Sequence, residues 1–124
     1  MSWPVILSYE YEEWLLSLSY AAQKAIAVDL NVLSIMEPKL GRPHVDHVKG
    51  SRFPNMKELR TTSSGHAYRS LFVFDPERQA VVLAGGQKTS KSGKRLYTRL
   101  IQRADEIYER YLQDEEKRRK DRRE

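Results

Sequence analysis

The sequence contains no cysteine and no long apolar run. The absence of cysteine excludes disulfide bonds, zinc–thiolate sites and catalysis by a thiol. Its apolar stretches extend for only a few residues, whereas a membrane-spanning helix needs about 20. The segment Met1-Ser2-Trp3-Pro4 carries no basic region before an apolar run, so no secretory signal is predicted. These absences indicate a cytoplasmic protein that makes no use of a membrane.

The chain has 124 residues, enough for one domain, and its positive charge is concentrated in the middle. The net charge is +5, with a balance of −3 over residues 1–48, +9 over residues 49–103 and −1 over residues 104–124. An excess of this size favours a polyanion such as nucleic acid, because each neutralised phosphate releases counterions. A solvated basic surface that maintains solubility is the alternative interpretation.

The order of hydrophobic patterns predicts an α+β domain. Ser8 and Ser19 are plausible N-caps for two helices, and apolar residues repeat with helical spacing as far as Leu40. A period of two then predicts an antiparallel meander, which Gly85-Gly86 ends before a basic loop. The predicted elements are an edge strand at Trp3–Leu7, helices over about 9–17 and 20–37, strands over about 56–61, 68–74 and 79–84, and a helix from about Leu96 to Leu112. We expect the helices to pack on one face of the sheet.

The last residues of the chain have a different composition from the rest. Residues 114–124 carry six basic and five acidic side chains, and apolar side chains stop before them. Such a segment cannot bury enough apolar surface to fold into a core. The sequence therefore predicts a single domain over residues 1–112 and a charged, frayed and solvated extension over residues 113–124.

Arg69 lies in the middle of an aromatic strand, where an arginine is costly unless its face is open or its charge is paired. The alternation places Arg69, Leu71 and Val73 on one face and Tyr68, Ser70, Phe72 and Phe74 on the other. One interpretation is an ion pair with Glu58 on the neighbouring strand. The other is a guanidinium directed at a phosphate, which its planar set of donors suits well.

Other kinds of site find less support in the sequence. His44 and His47 are three residues apart, but no third metal ligand lies near them, so no metal site is predicted. Gly85-Gly86 belongs to no complete nucleotide-binding motif, and no cofactor is predicted. Glu58 lies between Lys57 and Arg60, which favours a structural ion pair over a general base.

A set of basic and aromatic residues on the predicted sheet and loop remains. The candidate catalytic residues are Lys57, Arg60, Arg69, Lys88 and Tyr97, and the candidate RNA-binding residues are Tyr68, Lys91, Lys94 and Arg95. The functional hypothesis depends on the cations at positions 57, 60, 69 and 88 converging on one phosphodiester.

Several of these residues occur in an order that resembles a known family. Glu58-Leu59-Arg60, then Tyr68-Arg69 in an aromatic strand, then Gly85-Gly86-Gln87-Lys88 with further basic residues before a helix, is similar to the HigB-like branch of the RelE/ParE toxin superfamily. The resemblance covers roughly residues 5–112. It implies a RelE-like, microbial RNase-like fold, with N-terminal helices packed on an antiparallel sheet and a C-terminal helix.

The resemblance also implies a function. Such proteins are toxins of type II toxin–antitoxin systems that cleave mRNA, typically on the ribosome, and a HigA-like helix-turn-helix antitoxin silences them in a hetero-oligomeric complex. Arg69 matches the strand arginine that such enzymes direct at the scissile phosphate. Lys57 and Arg60 match basic residues of the preceding strand, and Lys88 and Lys91 match the basic loop. Tyr97 takes the place of a C-terminal tyrosine or histidine.

The mechanism expected from this set needs no metal. The 2′-hydroxyl of the RNA attacks the adjacent phosphorus, and fixed cations stabilise the charge that develops on the phosphate oxygens. Lys57 or Lys88 would assist the 2′-hydroxyl, while Tyr68 and Tyr97 would stack on bases or move protons. Two alternatives stay open, a ParE-like toxin that inhibits gyrase and a nucleic-acid-binding module without catalysis.

Overall fold

The fold is described from a computed structural model, which describes residues 2–89 and 93–122. These residues form a five-stranded sheet and three α-helices, followed here in chain order: β1 (Val5–Leu7), α1 (Tyr9–Leu16), α2 (Tyr20–Met36), β2 (Val45–His47), β3 (Lys57–Ser63), β4 (His66–Phe74), β5 (Ala80–Lys88) and α3 (Gly93–Arg122). A single 3₁₀ turn, Glu37–Lys39, follows α2. None of the described helices is long and apolar enough to cross a membrane.

The sheet has the strand order β1-β5-β4-β3-β2. Strand β1 pairs with β5 in parallel, and the other neighbours are antiparallel. The predicted edge strand and the predicted meander are thus both present. Strand β2 lies between the helix predicted over 20–37 and the strand predicted over 56–61, where the sequence predicts no element. Its three residues are too few to show an alternation, and they form a strand because β3 offers them a pairing partner.

The two N-terminal helices begin where the sequence predicts. The side chain of Ser8 accepts a hydrogen bond from the amide of Tyr11 at 3.0 Å, and that of Ser19 accepts one from the amide of Ala22 at 3.2 Å. Each hydroxyl satisfies one of the amides that the first turn of a helix leaves unpaired. The apolar stripe of α2 is buried against the sheet through Ile26 and its neighbours at helical spacing.

The expectation that all helices pack on one face of the sheet is wrong. Helices α1 and α2 cover the face that carries Phe72 and Val82, whereas α3 covers the opposite face, which carries Val81 and Leu83. Strand β5 is apolar on both faces, and a sheet of that composition needs a cover on each side. The molecule consequently has three layers, with a core on either side of the sheet.

Strand β5 also extends further than predicted, through Gly85 and Gly86 to Lys88. The two glycines do not end the strand. They admit close neighbours, because a Cβ on Gly85 would lie 2.3 Å from the ring of Trp14 and one on Gly86 would lie 3.2 Å from Leu100. Lys88 therefore projects from a strand and not from a loop.

Helix α3 continues to Arg122, although the sequence predicts a frayed segment after residue 112. Ion pairs between successive turns support the extra length, as between Arg118 and Glu115 at 2.6 Å. Arg119 connects this part to the body of the protein, since it lies 3.5 Å from Glu77 in the turn before β5. Its side chains are largely exposed, as the composition suggests.

Candidate active site

A buried carboxylate lies at the centre of the site, between two arginines. Glu58 of β3 is 5% exposed and faces α3. Its Oε2 accepts a hydrogen bond from Nε of Arg60 at 2.8 Å and lies 3.6 Å from Nε of Arg69. The sheet register produces this cluster, because Arg60 is paired with Arg69 across β3 and β4. Of the two interpretations of Arg69, the ion pair with Glu58 is present.

Helix α3 adds a phenol to the same carboxylate. The hydroxyl of Tyr97 donates a short hydrogen bond to Oε1 of Glu58. Burial raises the pKa of Tyr97 well above its ordinary value, and the bond to Glu58 raises it further, while Arg69 and Arg60 oppose the shift. At neutral pH the hydroxyl therefore keeps its proton and holds the carboxylate in place.

A second carboxylate supports Arg60 from the outer strand. Nη2 of Arg60 donates to Oδ2 of Asp46 in β2 at 3.2 Å, and Arg42 lies 3.3 Å from the same oxygen. The backbone amide of His47 lowers the pKa of Asp46, and the two arginines lower it further. The hydrogen bond to Glu58 is the main cause of the raised pKa of Arg60. Asp46 and Arg60 are therefore both charged at neutral pH.

The arginines retain donors for a ligand. A guanidinium has five N–H donors. Arg69 uses Nε toward Glu58 and Nη1 toward the carbonyl oxygen of Tyr68 at 3.1 Å, and its side chain is still 13% exposed. Arg60 uses Nε and Nη2. The carboxylates therefore orient the two guanidiniums without occupying all of their donors.

Two cavities flank the Glu58–Tyr97 pair. The larger, of about 690 Å³, has among its lining residues Lys49, Glu58, Arg60, Lys88, Lys94 and Tyr97. The smaller, of about 270 Å³, has among its lining residues Arg69, Gly86, Lys88, Tyr97, Arg99 and Arg103. Because Lys88 and Tyr97 border both, the two cavities adjoin along the end of the sheet that α3 covers.

The structure brings together four of the five candidate catalytic residues. Arg60, Arg69, Lys88 and Tyr97 all border these cavities. Lys57 does not, because it lies one residue from Glu58 and so points to the opposite face, where its Nζ is 5.4 Å from the ring centroid of Phe74. The predicted convergence of cations is therefore wrong for Lys57.

The predicted RNA-binding residues separate in a similar way. Tyr68 is 6% exposed and packs against Trp14 in the core beneath α1, with ring centroids 6.2 Å apart, so it cannot stack on a base. Lys94 borders the larger cavity. Arg95 is exposed in the first turn of α3, and Lys91 lies outside the described residues.

Several residues of the site escaped the sequence analysis. Asp46 reaches it from β2, a strand too short to leave a pattern, and Lys49 reaches it from the segment that follows β2. Arg99 and Arg103 reach it from α3. Their spacing of four residues indicates that they lie on the same side of the helix, and this was the signal in the sequence that could have found them. Over residues 2–89 and 93–122, no three His, Cys, Asp or Glu side chains come together in a way that could hold a metal ion.

Comparisons with known proteins agree with this architecture. The family model described as "Phage derived protein Gp49-like" matches residues 13–109. A protein of Mycobacterium tuberculosis named "Putative toxin HigB3" is 42% identical over 111 residues, which are 90% of this chain and 95% of that protein. Another, "Putative toxin HigB2", is 42% identical over 100 residues, which are 80% of this chain and 49% of that protein.

A solved structure gives the same result for the fold. The free state of a mutant of the E. coli toxin RelE superposes with a TM-score of 0.58, covering 83% of this chain and 98% of that one. The two sequences are 14% identical, so the likeness concerns the backbone arrangement. The RelE-like α+β fold expected from the sequence is confirmed.

Proposed function

This chain belongs to the Gp49-like family, in the HigB-like branch of the RelE superfamily, and from that premise we propose that it is a type II toxin that cleaves mRNA. The observation that carries the proposal is the placement of two partly free guanidiniums, Arg60 and Arg69, on one buried carboxylate between two cation-lined cavities. RNA is the substrate that this charge arrangement suits, because a phosphodiester brings negative charge to each cavity.

In the proposed reaction the 2′-oxygen of a ribose bonds to the adjacent phosphorus, and the bond from phosphorus to the 5′-oxygen breaks. The 2′-hydroxyl loses a proton and the departing 5′-oxygen gains one, which yields a cyclic phosphate and a 5′-hydroxyl. Arg69 and Arg60 donate to the equatorial phosphate oxygens, where charge increases in the transition state. Lys88, which borders both cavities, stabilises the negative charge that develops on the 2′-oxygen as it loses its proton.

Glu58 acts as a positioning residue in this scheme. It is buried and engaged by Arg60, Arg69 and Tyr97, so its oxygens are directed at protein donors and not at the substrate. Its role is to fix the two guanidiniums and the phenol before RNA binds. Such preorganisation spares the site the cost of reorienting its dipoles during the reaction.

The proposal also includes the location of the protein, its substrate in the cell and its antitoxin. The toxin acts in the cytoplasm on mRNA, typically on the ribosome, without a metal ion. A cognate antitoxin of the helix-turn-helix type binds it and keeps the cationic cavities from RNA. Cleavage should persist in the presence of a metal chelator, and it should be stronger on translating ribosomes than on free RNA.

Arg69→Ala tests the site, with Lys57→Ala as the matched control. Removing one donor to a developing oxyanion typically lowers the rate about 10²–10³-fold, so Arg69→Ala should abolish growth arrest and the new mRNA ends that sequencing detects after induction. Lys57 lies on the opposite face, so Lys57→Ala should arrest growth as the wild type does. Both variants should still bind the antitoxin, which verifies that they fold.

Two outcomes would contradict the proposal. Equal toxicity of Arg69→Ala and the wild type would remove Arg69 from the active site. Growth arrest with intact mRNA and with gyrase trapped on DNA would instead indicate the ParE-like activity.

A further inference from the structure

A row of arginines runs along one side of the first turns of α3. Arg95, Arg99 and Arg103 are spaced by four residues, which places them one above the other on the helix surface. Like charges at this spacing destabilise a helix. The row therefore has an energetic cost that a bound anion would offset.

The smaller cavity collects two of these arginines with two further cations. Arg99 and Arg103 line it together with Arg69 and Lys88, and no carboxylate is among its described lining residues. Lys88, Arg99 and Arg103 form no ion pair with any carboxylate in the ranges 2–89 and 93–122. Three of the four cations thus have no carboxylate partner among the described residues, whereas Arg69 belongs to the Glu58 cluster as well.

Nearby acidic side chains do not alter this picture. Glu10 and Glu13 border a separate cavity that Arg103 also borders. Glu10 is already paired with Arg110, further along α3. Arg103 thus lies between an acidic cavity and the cationic one, and its charge also acts on Glu10. No carboxylate is among the described residues that line the cationic cavity.

We propose that the smaller cavity binds a second backbone phosphate of the RNA strand, next to the one that is cleaved, and that Arg99 and Arg103 hold it. The inference rests on the proposed function. A phosphate is favoured because the planar guanidinium matches its oxygens and because the cavity shares Lys88 and Tyr97 with the cleavage site. An RNA strand that places its scissile phosphate at Arg69 lies at the edge of this cavity, and it must continue along the cavity toward Arg99 and Arg103 or past the larger one.

The half-buried side chain of Leu100 and the exposed side chain of Leu96 form an apolar part of the cavity wall, which Gln87 and Thr89 also border. Apolar groups of this kind offer a surface for a sugar or a base but no donors for base edges. A contact to the phosphate itself carries no information about the base sequence. Its contribution is to the register of the strand at the cleavage site.

The test uses a 2′-O-methyl hexaribonucleotide, which cannot be cleaved, and measures its binding by fluorescence anisotropy. The double variant Arg99→Gln/Arg103→Gln is compared with the wild type and with Lys117→Gln/Arg122→Gln, which removes the same charge from exposed positions at the far end of α3. We expect the Kd of the first variant to rise about tenfold and its salt slope to fall by roughly 0.7, the value for one lost contact to a single strand. The control should bind as the wild type does.

Neutral methylphosphonate groups, introduced one at a time, locate the contact. In the wild type, one substitution other than that at the scissile position should weaken binding, and in Arg99→Gln/Arg103→Gln the same substitution should have no further effect. A dinucleotide with a single phosphate should bind the wild type and this variant equally.

The outcomes separate this inference from the proposed function. Equal affinity of the hexanucleotide for the wild type and Arg99→Gln/Arg103→Gln, or no binding to the wild type, would overturn the second phosphate site even if mRNA is cleaved. If the double variant instead loses affinity only for the antitoxin, the cavity binds an acidic protein segment and the proposal is wrong. Phosphate-dependent binding by a wild type that cleaves no RNA would uphold the site and overturn the proposed function.

Discussion

Single residues decide the chemistry of this site through the side of the sheet that each one faces. Glu58 and Lys57 are neighbours in β3, yet Glu58 binds two arginines beneath α3 while Lys57 lies over Phe74 on the opposite face. Arg69 and Tyr68 of β4 also face opposite sides of the sheet, since Arg69 borders the smaller cavity and Tyr68 lies in the core beneath α1. A basic residue that is next to a site residue in the sequence therefore need not bring its charge to the site.

Tyr11 is a buried phenol whose titration should be visible in the stability of the protein. It is 0% exposed, and its hydroxyl lies 2.8 Å from that of Ser70. Burial raises its pKa from 10.0 to about 12, and the bond to Ser70 opposes the shift. Since the folded pKa is above the unfolded one, the stabilisation is complete below pH 10 and is lost as the pH rises toward 12.

Tyr11→Phe should therefore change the alkaline limb of the stability curve. At neutral pH the variant should lose about 1 kcal/mol, the usual value of a buried hydrogen bond. Between pH 10 and 12 its free energy of unfolding should fall less steeply than that of the wild type, by about 1.4 kcal/mol per pH unit for the one proton removed. Urea titrations at fixed pH measure both effects, and parallel curves for the two proteins would contradict the assignment.

The candidate site was predictable from the sequence in part. The alternation of β4 gave the face of Arg69 correctly, and the pairing of Glu58 with Arg69 was one of two open interpretations. The same alternation, applied to β3, would have separated Lys57 from Arg60. The contact of Tyr97 with Glu58 joins α3 to β3. No local sequence pattern relates these two elements, so the contact could not be predicted without the position of α3.

Strand β5 has close neighbours on both faces at Gly85 and Gly86. Trp14 of α1 lies directly on Gly85, and it also packs against Tyr11 and Tyr68, with ring centroids at 5.5 Å and 6.2 Å. This aromatic cluster joins α1 to the end of β5. Since the other face of that end carries the site, the position of α1 bears on Arg69 and Lys88.

Gly85→Ala should disturb this contact, with Gly93→Ala as the control. A Cβ at position 85 would meet ring atoms of Trp14 at 2.3 Å, whereas one at position 93 meets nothing within 4 Å. Overpacking of a core typically costs about 1–3 kcal/mol, so the melting temperature of Gly85→Ala should fall clearly. Gly93→Ala lies at the start of α3 and should be neutral or slightly stabilising. Equal melting temperatures for the two variants would show that the side chain of Trp14 moves aside at no cost in stability, which would contradict this prediction.

Most elements were predictable, and the errors have physical causes. Ser8 and Ser19 cap the first two helices as expected, because capping depends on local sequence. Strand β2 and the last residues of β5 form through pairing with distant strands, which a local pattern does not reveal. The placement of α3 on the second face follows from the apolar character of both sides of β5.

For the molecule as a whole, opposite charges occupy opposite layers. Residues 9–36, which include α1 and α2, carry one basic and four acidic side chains, a net charge of −3, while residues 93–122, which form α3, carry ten basic and seven acidic side chains, a net charge of +3. Nucleic acid approaching the α3 side therefore meets a positive field and is repelled from the other layer. Electrostatic steering of this kind raises association rates and weakens with salt.

The end of α3 provides a test of the predicted domain boundary at residue 112. From residue 113 onward the helix is largely exposed, and the ion pair of Arg119 with Glu77 is exposed at both partners. A surface ion pair contributes at most about 1 kcal/mol. A chain ending at Gln113 should therefore unfold within about 1 kcal/mol of the full chain, as urea titration can measure. A loss of several kcal/mol would place the extension inside the domain.

The site draws its parts from distant points of the chain, and this has a consequence for the order in which the protein is made. Synthesis proceeds from the N-terminus, and a domain folds as a unit. The strands that bear Glu58, Arg60 and Arg69 precede α3, which alone provides Tyr97, Arg99 and Arg103. A nascent chain that still lacks α3 therefore cannot complete the candidate site, even when all the strands that bear its arginines have been made.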